Sequence, residues 1–149
     1  MNRHSLQTPL GSVTIHEENG VLTRLDWRDD PGDPSPLLDE AAAQLTAYFS
    51  RRLTAFDLPF DWGSGLQKQV RRSMAAIPLG ETLTYGDIAR ALNTPAQAIG
   101  QACGANPLPI LIPCHRVLGA KGLGGFSAKG GVETKVWLLR HEGAAGLLL

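Results

Sequence analysis

The segment Asn106 to Val117, NPLPILIPCHRV, holds the side chains best suited to chemistry in this chain. An apolar run, Ile110-Leu111-Ile112, is cut by Pro113 and followed at once by Cys114 and His115. Proline fixes φ and removes an amide donor, so the thiol is delivered on a stiff piece of backbone. Stiffness suits a nucleophile that must meet one atom in line. The reactive form of cysteine is the thiolate, a minor species near neutral pH, and the adjacent His115 and Arg116 can stabilise it. Neighbours in sequence need not point together, however, and a lone buried cysteine is commonly an inert small hydrophobe, so on these residues alone both readings stand. Cys103, the other cysteine, falls on the apolar stripe of a predicted helix with no histidine beside it and reads as structural.

Two cysteines are too few for a disulfide framework or a four-cysteine zinc site, and a thiol of functional interest fits a reducing compartment. With His4, His16, His115 and His141 as the remaining soft ligands, no structural metal is expected. No stretch approaches the ~18 apolar residues of a membrane span, and the start, MNRHSLQTPLG, lacks the apolar core of a secretion signal. The expectation is a soluble, cytoplasmic protein with no membrane partner. A length of 149 residues with 43% hydrophobic content suffices for one domain or two small lobes. The formal charge is zero but unevenly spread. Residues 1–63 hold 5 Lys+Arg against 10 Asp+Glu, and residues 64–149 hold 9 against 4, giving −5 and +5. The second half is therefore the candidate polyanion-binding half, unless each lobe simply carries its own solvated surface.

The elements that must position the cysteine follow from pattern. LQTPLGSVTIHEENGVLTRLDW alternates apolar and polar residues around turn signals at Pro9–Gly11 and Asn19-Gly20, which predicts antiparallel hairpin strands. After the breakers at Asp29–Pro36, Leu38, Ala41, Leu45, Tyr48 and Phe49 recur at helical spacing. Phe56–Gly65 is a second breaker-rich stretch where the charge changes sign, and the boundary is placed there: lobe 1–63, then 64–149. Leu66, Val70, Met74 and Ile77 predict a helix stopped by Pro78 and Gly80. TYGDIARAL and TPAQAIGQACGA predict two short helices turned at Asn93, with Thr94 as N-cap and Pro95 at the first helical position, resembling a helix-turn-helix. On the second of these, Ile99, Ala102 and Cys103 face inward and Gln97, Gly100, Gln101 and Gly104 outward. Small residues and amides there allow close approach to another surface, though the same pattern serves tight internal packing. No Lys or Arg lies between Arg90 and Arg116, so basic residues elsewhere and backbone amides would have to anchor any phosphate. Near the end, Val132, Val136 and Leu139 are predicted to share one helical face.

IPCHRV after NPLPIL resembles the active-site signature of the O6-alkylguanine-DNA alkyltransferases. TPLGSVTI, IPLGETLTYGDIA, Gly124-Gly125 and WLLRHEG at Trp137–Gly143 resemble further landmarks of that family in the same order. The resemblance implies an α/β fold: a small N-terminal α/β lobe with an antiparallel sheet, and a mostly helical, winged-helix-like C-terminal lobe carrying a helix-turn-helix. It implies irreversible, single-turnover transfer of an alkyl group from guanine O6 in double-stranded DNA to Cys114. His115 would draw the thiol proton through a water, Glu142 would orient His115, and Asn106 would complete the catalytic set. Tyr85, Phe126, Ser127 and groups around Val117 would contact the base. Ala96, Gln97, Ala98 and Gly100 of the recognition helix, with Arg116, would contact the DNA from the minor groove. The nucleotide would leave the stack, since the O6 substituent is otherwise shielded within the duplex. No diffusible cofactor is implied, because the transferred carbon arrives with the substrate, and a monomer suffices.

Three positions depart from the family pattern. Gln97 stands where an arginine fills the gap left by the flipped base, and it stacks less well. Phe126 stands where many members have tyrosine, and Leu66 with Arg71 where FQxxVW supplies aromatics. Ala128-Lys129 also lengthen the loop before Gly130-Gly131. The rival readings are a non-catalytic binder that flags alkylated DNA for other machinery, a helix-turn-helix regulator, and a cysteine hydrolase. Retention of Cys114, His115 and Glu142 together argues against the first. The missing helix cations argue against the second, and the lack of a further Cys/His arrangement against the third.

Overall fold

The structure, a computed structural model, describes residues 1–126 and 129–144. The chain divides into two units, residues 1–61 and from Trp62 onward. In the first, strands β1 (Arg3–Thr8), β2 (Gly11–Glu18) and β3 (Val21–Asp26) form an antiparallel sheet in the order β1-β2-β3. The β2–β3 turn is Asn19-Gly20, with φ of +52° and +78°. Positive φ at both central residues matches the twist of a two-residue hairpin, which is why asparagine and glycine stand there. Helix α1 (Pro36–Phe49) begins at Ser35, whose hydroxyl accepts from the Leu38 amide at 3.1 Å. It buries Leu38, Ala41, Leu45 and Tyr48, the spacing that lays one helical stripe on a sheet.

The sheet departs from simple alternation at β2, where Thr14 and His16 are buried as well as Val13 and Ile15. The segment after β3 accounts for Thr14: its Oγ1 donates to the Arg28 carbonyl at 2.7 Å and accepts from the Asp30 amide at 3.0 Å. His16 Nε2 meets Asp26 Oδ2 at 2.9 Å. Buried polar groups are tolerated because each has partners.

The second unit runs α2 (Gly65–Ala75), β4 (Leu83–Thr84), α3 (Tyr85–Leu92), α4 (Ala96–Gly104), a 3-10 turn (Cys114–Arg116), β5 (Val117–Leu118) and α5 (Gly131–His141). α3 and α4 pack on each other across Asn93, a left-handed residue with φ of +50° that caps α3. This is the predicted helix-turn-helix, with one correction. Thr94 is not the N-cap of α4: its hydroxyl donates back to the Leu92 carbonyl at 3.0 Å, and Pro95 occupies the cap. A threonine next to a left-handed residue finds a carbonyl behind it before any amide ahead. A second correction concerns α5. Val132 is exposed, and the buried face consists of Lys135, Leu138 and Leu139, followed by Glu142 at the C-cap. Spacings of three, four and seven put those four on one side of the helix, so a lysine and a glutamate belong to the inward stripe. Among the described residues, no helix is long and apolar enough to cross a membrane.

Candidate active site

The thiol is positioned by a run of tight turns. The Cys114 amide donates to the Ile112 carbonyl at 2.8 Å across Pro113, whose φ of −79° and ψ of 69° make an inverse γ-turn. Three residues earlier the Leu111 amide reaches the Pro109 carbonyl at 2.8 Å across Ile110, which has φ of +71°. A β-branched residue there is strained by roughly 1–3 kcal/mol and persists only where its surroundings over-determine it. Those surroundings are on hand. Leu108, Ile110, Leu111 and Ile112 are all buried. Asn106 clamps the loop from inside, accepting from the Leu108 amide at 3.1 Å and donating to the Ile112 carbonyl at 2.9 Å. The apolar run is thus a knot of buried turns that aims the cysteine.

Behind the half-buried Cys114 lies a closed electrostatic chain. His115 and Glu142 side chains are both 0% exposed, with Nε2 to Oε2 at 2.6 Å. Arg116, 6% exposed, donates from Nε to Glu142 Oε1 at 2.8 Å, from Nη2 to Oε2 at 3.1 Å, and from Nη1 to the Ile77 carbonyl at 2.7 Å. Burial alone would raise the Glu142 carboxyl, but hydrogen bonds from His115 and Arg116 outweigh it and hold it at about 2. An ionised carboxylate can only accept. His115 Nε2 is therefore the N–H, and Nδ1 of the neutral ring is a bare acceptor, buried and without a hydrogen-bond partner among the described residues. Burial lowers the His115 pKa, Glu142 opposes that, and the Arg116 and Lys135 charges lower it further, so the ring stays neutral.

The cysteine itself is held as a thiol: burial raises its pKa, opposed by the Asn106 side chain and by the charge of Lys135. Lys135 is a site residue that sequence reading missed. It is 0% exposed, and Nζ donates to the Val117 carbonyl at 2.7 Å and the Gly125 carbonyl at 3.1 Å. Burial pushes it down to about 8. The cation facing the sulfur is therefore Lys135. Arg116 faces Glu142 instead, in place of the DNA contact the resemblance implied, because its guanidinium fork matches a buried carboxylate.

Cys114 lines a cavity of about 450 Å³ with Tyr85, Gly100, Cys103, Gly104, Gly125 and Phe126. Tyr85 is fixed by a capping box. Thr84 Oγ1 accepts from the Asp87 amide at 3.0 Å, and Asp87 Oδ2 accepts from the Thr84 amide at 2.8 Å. Parallel pairing of Leu83 with Val117 and of Thr84 with Leu118 then ties this helix start to the cysteine turn. Burial raises the Tyr85 pKa, so it remains a phenol able to donate. Gly100 and Gly104 bring the outer face of α4 to the cavity. Cys103, read as structural, is buried and also forms part of the wall, with its thiol pushed up to about 12 by burial. Val117 is buried and its carbonyl is taken by Lys135. Ala96 and Gln97 are exposed at the start of α4, Ala98 is partly covered, and Ser127 and Ala128 lie outside the described residues.

Gly124 has φ of +72°, and a Cβ there would sit 3.0 Å from Tyr85 Cε2 and 3.1 Å from the Gly119 amide nitrogen. Gly124→Ala is expected to displace the Tyr85 ring and cost roughly 1–3 kcal/mol. Denaturant melts paired with the near-UV circular dichroism of tyrosine would check it. An alanine variant with wild-type stability and spectrum would show that this contact does not hold the ring.

A two-unit protein with a cysteine held just after a strained turn, backed by a buried imidazole–carboxylate pair and opening onto a cavity beside a helix-turn-helix, belongs to the class built to take a group from DNA onto a protein thiol. Residues 1–62 match the ribonuclease-like domain of 6-O-methylguanine DNA methyltransferase, and residues 65–144 match its DNA-binding domain. The chain belongs to this family. The methylated-DNA–protein-cysteine methyltransferase of Methanosarcina acetivorans is 43% identical, over 93% of this chain and 96% of that protein. The one of Mycobacterium tuberculosis strain H37Rv is 39% identical, over 93% and 90%. The crystal structure of Mycobacterium tuberculosis OGT in complex with DNA matches with a TM-score of 0.84 at 37% identity, covering 97% of this chain and 94% of that one.

Proposed function

We propose that this protein repairs DNA by direct reversal, moving the alkyl group of O6-alkylguanine onto Cys114 in one irreversible turnover. The observation that carries the reading is a cysteine lining a base-sized cavity with a buried His115–Glu142 pair, 2.6 Å apart, immediately behind it. Cys114 gives its proton through a bridging water to Nδ1 of His115, which has no direct partner among the described residues, while Asn106 and Lys135 favour the thiolate that results. Sulfur attacks the alkyl carbon, the C–S bond forms, and the C–O6 bond breaks with its electron pair on guanine. Tyr85 and the wall near Phe126 receive that base, and a proton returned to it leaves normal guanine and a thioether. Soft, polarisable sulfur favours attack on an sp3 carbon once water is excluded.

α4 enters the minor groove, and the damaged nucleotide rotates into the cavity at a cost of a few kcal/mol, reduced by its weakened pairing. Gln97 follows it into the stack. A single copy suffices, and a reducing intracellular compartment keeps the thiol free. Mixed with a duplex carrying O6-methylguanine, the wild-type protein is expected to gain one methyl mass on the Cys114 peptide, and Cys114→Ala none. Unmodified wild type would refute the reading. If it nevertheless bound the lesion duplex tightly, the protein would be a non-catalytic lesion binder.

A further inference from the structure

Arg116 is buried, and three of its nitrogens are engaged in the protein interior: two donate to Glu142 and the third to the Ile77 carbonyl just beyond α2. A surface cation would not be taken out of water for packing alone. A buried ion pair is weak evidence for stability, because desolvation cancels much of the attraction, and its better-attested use is to fix one arrangement over another. Two arrangements compete here. A carboxylate alone with a buried imidazole draws a proton onto the ring, giving an imidazolium–carboxylate pair. Such a ring is protonated on both nitrogens and cannot accept from a thiol. A cation clamped on the same carboxylate satisfies its charge in advance and repels a second positive charge on the ring.

We propose that Arg116 is a positioning residue of the transfer reaction: by forking onto Glu142 it keeps His115 neutral, with its proton on Nε2 and Nδ1 bare toward the thiol. This rests on the reading of Cys114 as acceptor and adds how its base is kept ready. The groups facing His115 are Glu142 and Lys135 from the α5 side, and Arg116 and Cys114 from its own turn. From just beyond α2 comes the Ile77 carbonyl, through Arg116. Of the two cations, Lys135 is hydrogen-bonded to carbonyls and faces the sulfur, so it cannot substitute for the fork on the carboxylate. Arginine suits this place because its planar donors match both carboxylate oxygens and it stays charged when buried.

The test is the single-turnover rate of methyl transfer to Cys114 from pH 5 to 9, read beside the 15N imidazole shifts of His115, which report tautomer and charge directly. Wild type is expected to show a neutral ring protonated on Nε2 at pH 7. In Arg116→Met the ring is expected to be imidazolium at pH 7. Its acid limb should move up by at least one pH unit, with the rate at pH 7 falling at least tenfold. Arg116→Lys, which keeps the charge, is expected to restore the wild-type limb. A Met variant whose limb and 15N shifts match wild type, even with a uniformly lower rate, overturns the proposal, since loss of structure alone slows every pH equally. If the Met variant does not fold, the other two proteins decide. A wild-type ring charged or protonated on Nδ1 at pH 7 overturns the proposal, as does a Lys variant with a displaced limb, and the opposite results sustain it. Failure of the acceptor reading is distinct, because wild type would then leave the lesion duplex unmodified at every pH.

Discussion

Lys135→Met is expected to slow transfer to Cys114 by about 10²–10³-fold, the usual loss when a preorganised charge-stabilising donor is removed from a reacting centre. Nζ is the cation that favours the Cys114 thiolate, and through the Val117 and Gly125 carbonyls it also joins the cysteine strand to the cavity wall. Stability should change much less. Methionine relieves a buried ammonium whose pKa has fallen from 10.5 to about 8, a cost of a few kcal/mol at neutral pH. It leaves two carbonyls unsatisfied at about 1–3 kcal/mol each, so the terms nearly cancel.

The pH dependence separates the two effects. The folded pKa of Lys135 is depressed, so between about 8 and 10.5 the folded state binds fewer protons than the unfolded one. Its contribution makes stability rise with pH through that window. Burial raises Cys114, Cys103 and Tyr85, which pull the other way in both proteins, so the difference between wild type and variant isolates the lysine. In the wild type the transfer rate should fall above about pH 8, as the ammonium is lost, although more thiolate forms. A Met variant within threefold of the wild-type rate, or a wild-type rate still climbing at pH 9, would leave Lys135 with a packing role only.

Lys135 also marks where sequence reading stopped. Cys114 and His115 were legible because they are consecutive and follow a proline. The hairpins were legible from their turn residues, and α1 to α4 from apolar spacing. α5 was read by its valines, which put Val132 inward. A lysine read by type alone belongs to water, yet Lys135, Leu138, Leu139 and Glu142 share a face, and the three-four-seven spacing was available to find it. Arg116 was read as a neighbour of the thiol and, through the resemblance, as a DNA contact, whereas its partner, Glu142, lies 26 residues away and meets it only through folding. The strain at Ile110 had no sequence signal at all, since isoleucine is among the residues least expected at positive φ. Local rules fail here where the site stores strain and buries charge, and such failures tend to cluster at functional centres.

Glu142→Gln tests the chain of charge at its middle. The amide keeps the shape but brings an NH2 among donors, since His115 Nε2–H and the Arg116 fork already point at both oxygens. One oxygen can still accept; the other position becomes a donor facing a donor. Arg116 is then a buried cation with no counter-charge, and breaking a buried pair from one side costs about 3–5 kcal/mol. The wild-type carboxyl, lowered from 4.5 to about 2, contributes stability that is fully present above about pH 4.5 and is lost as pH falls toward 2. The glutamine variant should therefore be less stable at neutral pH and lack this part of the acid dependence, a difference that urea melts at pH 7, 4 and 3 would reveal. Transfer should fall by about 10²–10⁴-fold, the range for removing general acid–base help, because nothing then fixes the His115 proton on Nε2. The 15N shifts of His115 should show both tautomers in the variant. A glutamine variant that methylates Cys114 at the wild-type rate with a single tautomer would mean that His115 is oriented by its packing, and that the buried carboxylate serves the fold alone.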